Sequence, residues 1–356
     1  MQRIQKAFEK SISVVFATDN NFVPYLYVAI QSLVDNSSES NNYDIVILCT
    51  DVEEYKQNQF KQLEKDNVSI RFFDMAELMA EYQDVWYTHW QYTEAMYYRF
   101  FIPQLFADYK KVVYLDCDII VNCDIAELYN TDMEGKGICA QAGAIREPLI
   151  DWDREYIEGT LKISILKYFN SGVLVFDLQK ISNDDFLNKC IEYLKLLKNP
   201  PLPDQDVLNL FFKDNVRYLD FAFNFSWRAV HFDKKMEDLL EDEARDNYLD
   251  TLKNFKIIHY AGKYKPWKSP ELSYADYFWK YARKTPFYEE LIYRHSPSGL
   301  GRNAIYNAVY RRRIYFQYLR CKILKHITFG KTREHYISKE TFLKRMVKDY
   351  RRTLKK

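Results

Sequence analysis

The first 121 residues alternate short β-rich apolar runs with helix-like stretches, and this alternation constrains the fold more than any other feature. Strand runs are expected at 13–17, 43–50, 68–73 and 111–121, with helices at 24–34, 53–65 and 94–105. Parallel neighbours cannot be joined by a tight hairpin, so such a series specifies a mainly parallel sheet with helices on its faces. Further strands are expected at 137–142, 171–176 and 256–260, with a long helix at 184–198. Ligands in sheets of this type gather at the carboxyl ends of the strands. The 356 residues, 47% of them hydrophobic, suffice for one large α/β domain plus an appendage or for two modest domains, and composition alone chooses neither. The Ser-Pro-Ser-Gly-Leu-Gly stretch at 296–301 reads as the linker between the two.

All nine glycines lie at or beyond Gly135, which excludes a Walker loop or a G-x-G-x-x-G fingerprint in the N-terminal third. A nucleotide bound there must have its phosphates held by something other than a glycine-rich nest. The six cysteines are scattered, without a C-x-x-C pair, and fit a reducing compartment. No run approaches the roughly 18 apolar residues of a membrane span, nor has the N-terminus an apolar stretch of signal-peptide length, so a cytoplasmic protein is expected. The high counts of Tyr (30) and Phe (24) are assigned mainly to the core. The formal charge of +1 conceals an asymmetry, because residues 311–356 carry sixteen Lys/Arg against three Asp/Glu. An acidic body is therefore joined to a basic tail.

The motif that carries chemistry is Asp116-Cys117-Asp118, placed just past the apolar run Val112-Val113-Tyr114-Leu115. On a regular strand the two carboxylates share one face, within reach of a single hard cation. A turn cap and a phosphatase of the haloacid-dehalogenase type use the same spacing. Downstream, His259-Tyr260-Ala261-Gly262-Lys263-Tyr264-Lys265-Pro266-Trp267 offers an imidazole as third ligand, a glycine where backbone can approach a phosphate, and Lys265 as a point charge for a diphosphate. Pro266 restricts Lys265 to an extended conformation.

With these motifs the chain resembles the family 8 glycosyltransferases, which include bacterial lipopolysaccharide galactosyl- and glucosyltransferases and glycogenin, over residues 13–267. The resemblance is also carried by Phe16-Ala17-Thr18-Asp19-Asn20-Asn21, by Tyr98-Arg99, by Phe169-Asn170-Ser171-Gly172-Val173 and by Asp204-Gln205-Asp206, in the family's order. It implies a GT-A nucleotide-diphospho-sugar transferase fold over residues 10–295. It further implies that Ala17, Asp19 and Asn21 contact uridine, that Arg99 lies near the donor sugar, and that Asp204 and Asn170 hold sugar hydroxyls. Asp116, Asp118 and His259 would bind Mn²⁺, or Mg²⁺ as second choice, with Gly262 and Lys265 at the diphosphate of a UDP-sugar. The stretch 140–145 carries no acid where galactosyltransferases of the family have one, a departure that concerns the acceptor.

The activity so implied is transfer of glucose or galactose from UDP-glucose or UDP-galactose to a lipopolysaccharide, glycolipid or other glycan, with retention. Gln205, a poor nucleophile, favours a same-face route, while Asp206 remains a candidate nucleophile. The alternatives are a protein- or self-glycosylating transferase of the same fold and a non-catalytic UDP-sugar-binding scaffold. In the tail, residues 302–356, Phe342, Leu343, Met346, Val347 and Tyr350 lie at helical spacing opposite Lys344, Arg345, Lys348 and Arg351. Peripheral attachment to the anionic inner face of the plasma membrane is expected, a helix packed on the acidic body being the alternative. No nucleic-acid module accompanies the charge.

Overall fold

The computed structural model describes residues 3–88, 93–142, 154–181, 183–226, 246, 250–262, 264–295, 316 and 318–330, together with 332, 333, 336, 337, 340 and 344. The chain divides into two units, one of residues 1–52 and 63–292, the other of residues 53–62 and 293–356.

The first unit is an α/β structure around a seven-stranded sheet. In chain order its strands are β1 (Ile12–Ala17), β2 (Tyr43–Cys49), β3 (Val68–Asp74), β4 (Lys111–Leu115), β6 (Ile138–Ala142), β7 (Phe169–Asp177) and β8 (Val216–Tyr218), arranged β3-β2-β1-β4-β7-β6-β8. Strands β3, β2, β1 and β4 pair in parallel, and β6 pairs in parallel with β8. Strand β7 is antiparallel to both β4 and β6, so one strand runs against the rest. A smaller sheet of order β5-β10-β9 is formed by β5 (Ile119–Val121), β9 (Phe225–Ser226) and β10 (Ile257–His259).

The apolar run 111–121, expected as one strand, is two. Pairing in the large sheet stops at Leu115, the Asp-Cys-Asp segment turns, and β5 then joins the second sheet. The metal-binding candidates thus sit on the turn between two sheets and not on a regular strand. The helix expected at 94–105 is likewise divided into a 3₁₀ segment, Glu94–Phe101, and a short α-helix, Ile102–Leu105. Pro103 has no N–H to donate to the preceding turn, so an α-helix can begin beside it but cannot run through it. Helix Val23–Asp35 is buried from Val23 to Val34, which explains its largely apolar surface.

The main core packs Val112, Tyr114, Leu174 and Phe176 of the large sheet against Phe186, Leu187, Cys190 and Leu208 of helices Asn183–Leu197 and Pro203–Phe211. A second cluster joins Tyr25 and Val28 to Ile120, Phe225, Ile258, Trp267, Phe278 and Leu291, with Tyr25 stacked on Trp267 at 4.1 Å. Tyr27, Tyr43, Tyr97, Tyr98, Tyr114, Tyr260 and Tyr281 are among the largest fully buried side chains. All six cysteines are free.

In the second unit, Glu54–Phe60 forms a helix, shorter than the 53–65 expected. Residues 318–327 are helical, and Lys325 pairs with Glu340 at 2.6 Å. Among the described residues no helix is long and apolar enough to cross a membrane. The 296–301 linker and, apart from Lys344, the amphipathic stretch 341–350 lie outside the described residues, as do residues 143–145 of the acid-free stretch.

Candidate active site

Sheet topology brings the sequence-predicted residues to one edge. Strands β1 and β4 run in parallel with Phe16 opposite Leu115, so Ala17 and Asp116 emerge together at their carboxyl ends. The antiparallel β7 begins at this edge, where the Asp116 N–H donates to the Gly172 carbonyl at 2.8 Å. In the second sheet His259 pairs with Ile119, and the Tyr260 N–H donates to the Asp118 carbonyl at 3.0 Å. An imidazole remote in sequence is thereby laid beside the carboxylate pair.

The His259 Nε2 lies 3.2 Å from Asp118 Oδ1 and 3.8 Å from Asp116 Oδ2. Donor atoms of the three residues lie within 4.8 Å of one another. Among the described residues they are the one group of three or more His, Cys, Asp or Glu that could hold a metal ion. An octahedral ion about 2.1 Å from each donor holds neighbouring donors about 3 Å apart, and the 3.2 Å between His259 Nε2 and Asp118 Oδ1 is on that scale. Two hard oxygens and one imidazole nitrogen suit Mn²⁺ or Mg²⁺. Gly172 closes the back of the group, since a Cβ there would lie 2.6 Å from Asp116 Oδ2 and closer still to His259 Cε1.

Two cations already press on the carboxylates. Lys265, 9% exposed, donates to Asp118 Oδ2 and, at 2.8 Å, to the Tyr260 carbonyl. Burial pushes the Asp118 carboxyl up, but the charge and hydrogen bond of Lys265, with His259 close beside it, hold it below the usual carboxylate range. For Asp116 burial wins: opposed by Arg99 and reinforced by the charge of Asp118, it leaves the carboxyl above its ordinary value.

Arg99, 4% exposed, donates through Nη2 to Asp116 Oδ1 at 2.9 Å and through Nη1 to the Ser171 carbonyl at 2.7 Å. The same Nη1 lies 2.9 Å from Asp204 Oδ2, which also accepts from the Ser171 hydroxyl. The guanidinium sits over the Tyr114 ring, 4.3 Å from its centroid. Arg99 therefore ties the aspartate pair to helix Pro203–Phe211. Asp204 and Asp206 occupy the first turn of that helix, where its dipole favours negative charge.

The remaining predicted residues make contacts of their own. Gln205 Oε1 accepts from Asn170 Nδ2 at 3.0 Å and from the Ser171 N–H at 3.1 Å. Asp206, 1% exposed, accepts from the Tyr168 hydroxyl on one oxygen, and from the Tyr156 hydroxyl and the Leu202 N–H, both at 3.1 Å, on the other. Asp19 Oδ1 accepts from the Asn21 and Phe22 N–H groups at 2.7 and 3.0 Å, which orders the turn after β1. Gly262 has φ +88°, in the region that favours glycine. Ser171, Tyr156, Tyr168 and Asn224 belong to this network and were not anticipated as functional residues. For Asn224 the available signal was an amide inside the apolar run Phe221-Ala222-Phe223-Asn224-Phe225.

The seven-stranded sheet, with a carboxylate pair after β4 and a histidine at the end of β10 in the second sheet, is of the GT-A glycosyltransferase fold. The sequence profile described as Glycosyl transferase family 8 matches residues 13–271, and the chain belongs to that family. It is 26% identical over 265 residues to the lipopolysaccharide 1,2-glucosyltransferase of Escherichia coli K12, covering 72% of each chain. It is also 26% identical over 267 residues to the lipopolysaccharide 1,3-galactosyltransferase of Salmonella typhimurium, covering 72% of this chain and 73% of that one. Among solved structures it is similar to an active-site mutant of LgtC, with a TM-score of 0.64, 25% identity, and coverage of 77% of this chain and 96% of the other.

Proposed function

We propose that the protein transfers glucose or galactose from a UDP-sugar to a hydroxyl of a lipopolysaccharide, glycolipid or other cell-surface glycan, with metal dependence and retention of configuration. The observation that carries this reading is the convergence of Asp116, Asp118 and His259 at the strand ends of a family 8 fold. The named relatives act on lipopolysaccharide with glucose and galactose respectively, which supports a hexose and a glycan acceptor.

Asp116, Asp118 and His259 would hold Mn²⁺ or Mg²⁺. When bound, the ion supplies Lewis-acid stabilisation of the charge that develops on the departing diphosphate. Lys265 adds a point charge beside it, and Gly262 allows backbone approach to a phosphate. Ala17, Asp19 and Asn21, at the end of β1, would receive the uridine. Asn170 and Asp204 would orient sugar hydroxyls, with Arg99 holding Asp204 in place. The Gln205 oxygen accepts two hydrogen bonds, and both Asp206 oxygens are engaged by hydroxyl or N–H donors. Such donors lower the nucleophilicity of an oxygen, which favours same-face attack by the acceptor over a covalent intermediate on either side chain. Gln205 then stabilises positive character at the anomeric carbon.

The test is UDP release from UDP-glucose and UDP-galactose by purified protein with Mn²⁺, a lipopolysaccharide-core acceptor, and product analysis by NMR. Retained α-linkage and loss of transfer in EDTA are expected, whereas full activity in EDTA or an inverted product overturns the proposal. Binding of the basic tail to an anionic membrane at the cytoplasmic face belongs to the same reading. Ile323 and Ile327, one helical turn apart and both more than half exposed, support it alongside Arg320, Lys322 and Lys325. Vesicle binding that survives deletion of residues 302–356 would remove this part.

A further inference from the structure

Backbone donors at the start of β7 fix the orientation of a chain of amides that ends on His259. The Gly172 N–H donates to Asn170 Oδ1 at 2.9 Å, so that atom is an oxygen and the Asn170 amino group faces Gln205. The Ser171 N–H, donating to Gln205 Oε1, settles the same orientation from the other side. Asn170 Oδ1 also receives Asn224 Nδ2 at 2.9 Å, which leaves Asn224 Oδ1 facing His259 Nδ1 at 2.9 Å. An amide oxygen can only accept, so Nδ1 carries a proton, and Nε2, which faces Asp116 and Asp118, is the nitrogen left to a cation.

We infer that Asn224 is a positioning residue that locks His259 in the Nδ1–H tautomer required of a metal ligand. The inference rests on the metal-binding reading of Asp116, Asp118 and His259. Without the Asn224 acceptor, a neutral imidazole would gain by moving its proton to Nε2 and donating to Asp118 Oδ1, 3.2 Å away. That arrangement blocks the nitrogen and must be undone before a cation binds. Asn224 is 5% exposed and His259 3%, so water is a poor substitute for the lost acceptor. The relay also couples the cation to sugar recognition, because Asn170 carries the proposed sugar contact and the link to Asn224 on one carboxamide.

The test is Mn²⁺ titration of metal-free protein, followed by the EPR signal of free Mn²⁺, for the wild type and for Asn224→Leu, which keeps the shape and removes the acceptor. Metal affinity should fall about 10–100-fold, the usual effect of losing the partner of a ligating histidine. A folded Leu variant with wild-type Mn²⁺ affinity overturns the inference. Failure of the wild type itself to bind Mn²⁺ would instead remove the metal reading. Histidine-selective ¹⁵N NMR of the metal-free wild type at pH 8, with His259 assigned by its loss in His259→Gln, decides independently should Asn224→Leu fail to fold. A proton on Nδ1 is expected, and a bare Nδ1 with the proton on Nε2 overturns the inference.

Discussion

Substituting Gly172 by alanine adds one methyl group at the most crowded point of the site. The new Cβ would lie 2.6 Å from Asp116 Oδ2 and 3.1 Å from Asn170 Oδ1, and nearer still to His259 Cε1. Carbon atoms in ordinary contact stand about 3.5 Å apart, so the imidazole must retreat by about 1 Å. It has little freedom to do so, since Nδ1 is held by Asn224 and its strand by β5 and β9. Gly172 does not lie in the left-handed region, so the perturbation is steric and not conformational. Overpacking of this kind costs about 1–3 kcal/mol of stability. A displacement of about 1 Å at a reacting group costs about 10²-fold in rate. Gly172→Ala is therefore expected to remain folded, to lose 1–3 kcal/mol by urea denaturation, and to lose about 10²-fold in kcat/KM for sugar transfer. Gly137→Ala is the control, because there the nearest obstacle is the Asn215 side-chain amide, 2.7 Å away and outside the site. It should cost stability through the Asn215 contact while leaving kcat/KM unchanged. Wild-type turnover in Gly172→Ala would refute the claim that the back of the metal group is closed by a missing side chain.

Three further outcomes follow from the electrostatics. Arg99→Leu leaves Asp116 and Asp204 facing each other without their shared cation; breaking a buried pair from one side costs about 3–5 kcal/mol, readable by urea denaturation, and a loss below 1 kcal/mol would contradict the bridging role. Asp118 has a folded carboxyl held below its ordinary value, so its contribution to metal-free stability is present above the unfolded pKa of about 4 and is lost as pH falls through the lower folded value. The stability difference between wild type and Asp118→Asn in EDTA should accordingly shrink between pH 7 and pH 3, and a difference that grows on acidification would refute it. Burial pushes the thiols of Cys49, Cys123 and Cys139 up to about 12, leaving a thiolate fraction of about 10⁻⁴ at pH 8, so iodoacetamide should label none of them in the native protein within an hour, as peptide mass spectrometry would show.

The parallel half of the fold was legible because its strands and helices differ in period and length, and β1, β2 and β3 begin and end within a residue or two of expectation. What escaped was every point where the chain changes partners. The run 111–121 is apolar on both sides of Asp116 and Asp118, and local hydrophobicity does not record that β4 and β5 belong to different sheets. The triad itself was readable from residue chemistry and order, while the side chains that orient it were not. Asn224 and Ser171 act through hydrogen bonds to backbone or to another amide, and that geometry leaves no spacing in the sequence. Asp206 illustrates the converse, a carboxylate singled out by its motif that proves to be enclosed by two tyrosine hydroxyls and a backbone N–H.

The reversed strand explains why such a site forms at this edge. In a wholly parallel sheet, the carboxyl-terminal edge presents strand ends of one polarity. Because β7 runs the other way, its first residues enter the same edge beside the carboxylates that follow β4, bringing the N–H groups of Ser171 and Gly172 with them. Those donors determine which end of the Asn170 and Gln205 amides is oxygen, and through Asn224 that Nδ1 of His259 carries a proton. The second sheet completes the arrangement by register, since His259 stands opposite Ile119, next to Asp118, and a slip of β10 by one residue would turn the imidazole to the opposite face. The carboxylates follow the end of β4 and the backbone donors come from the start of the strand that opposes it, so the direction of β7 is as much a condition of this arrangement as the identity of its side chains.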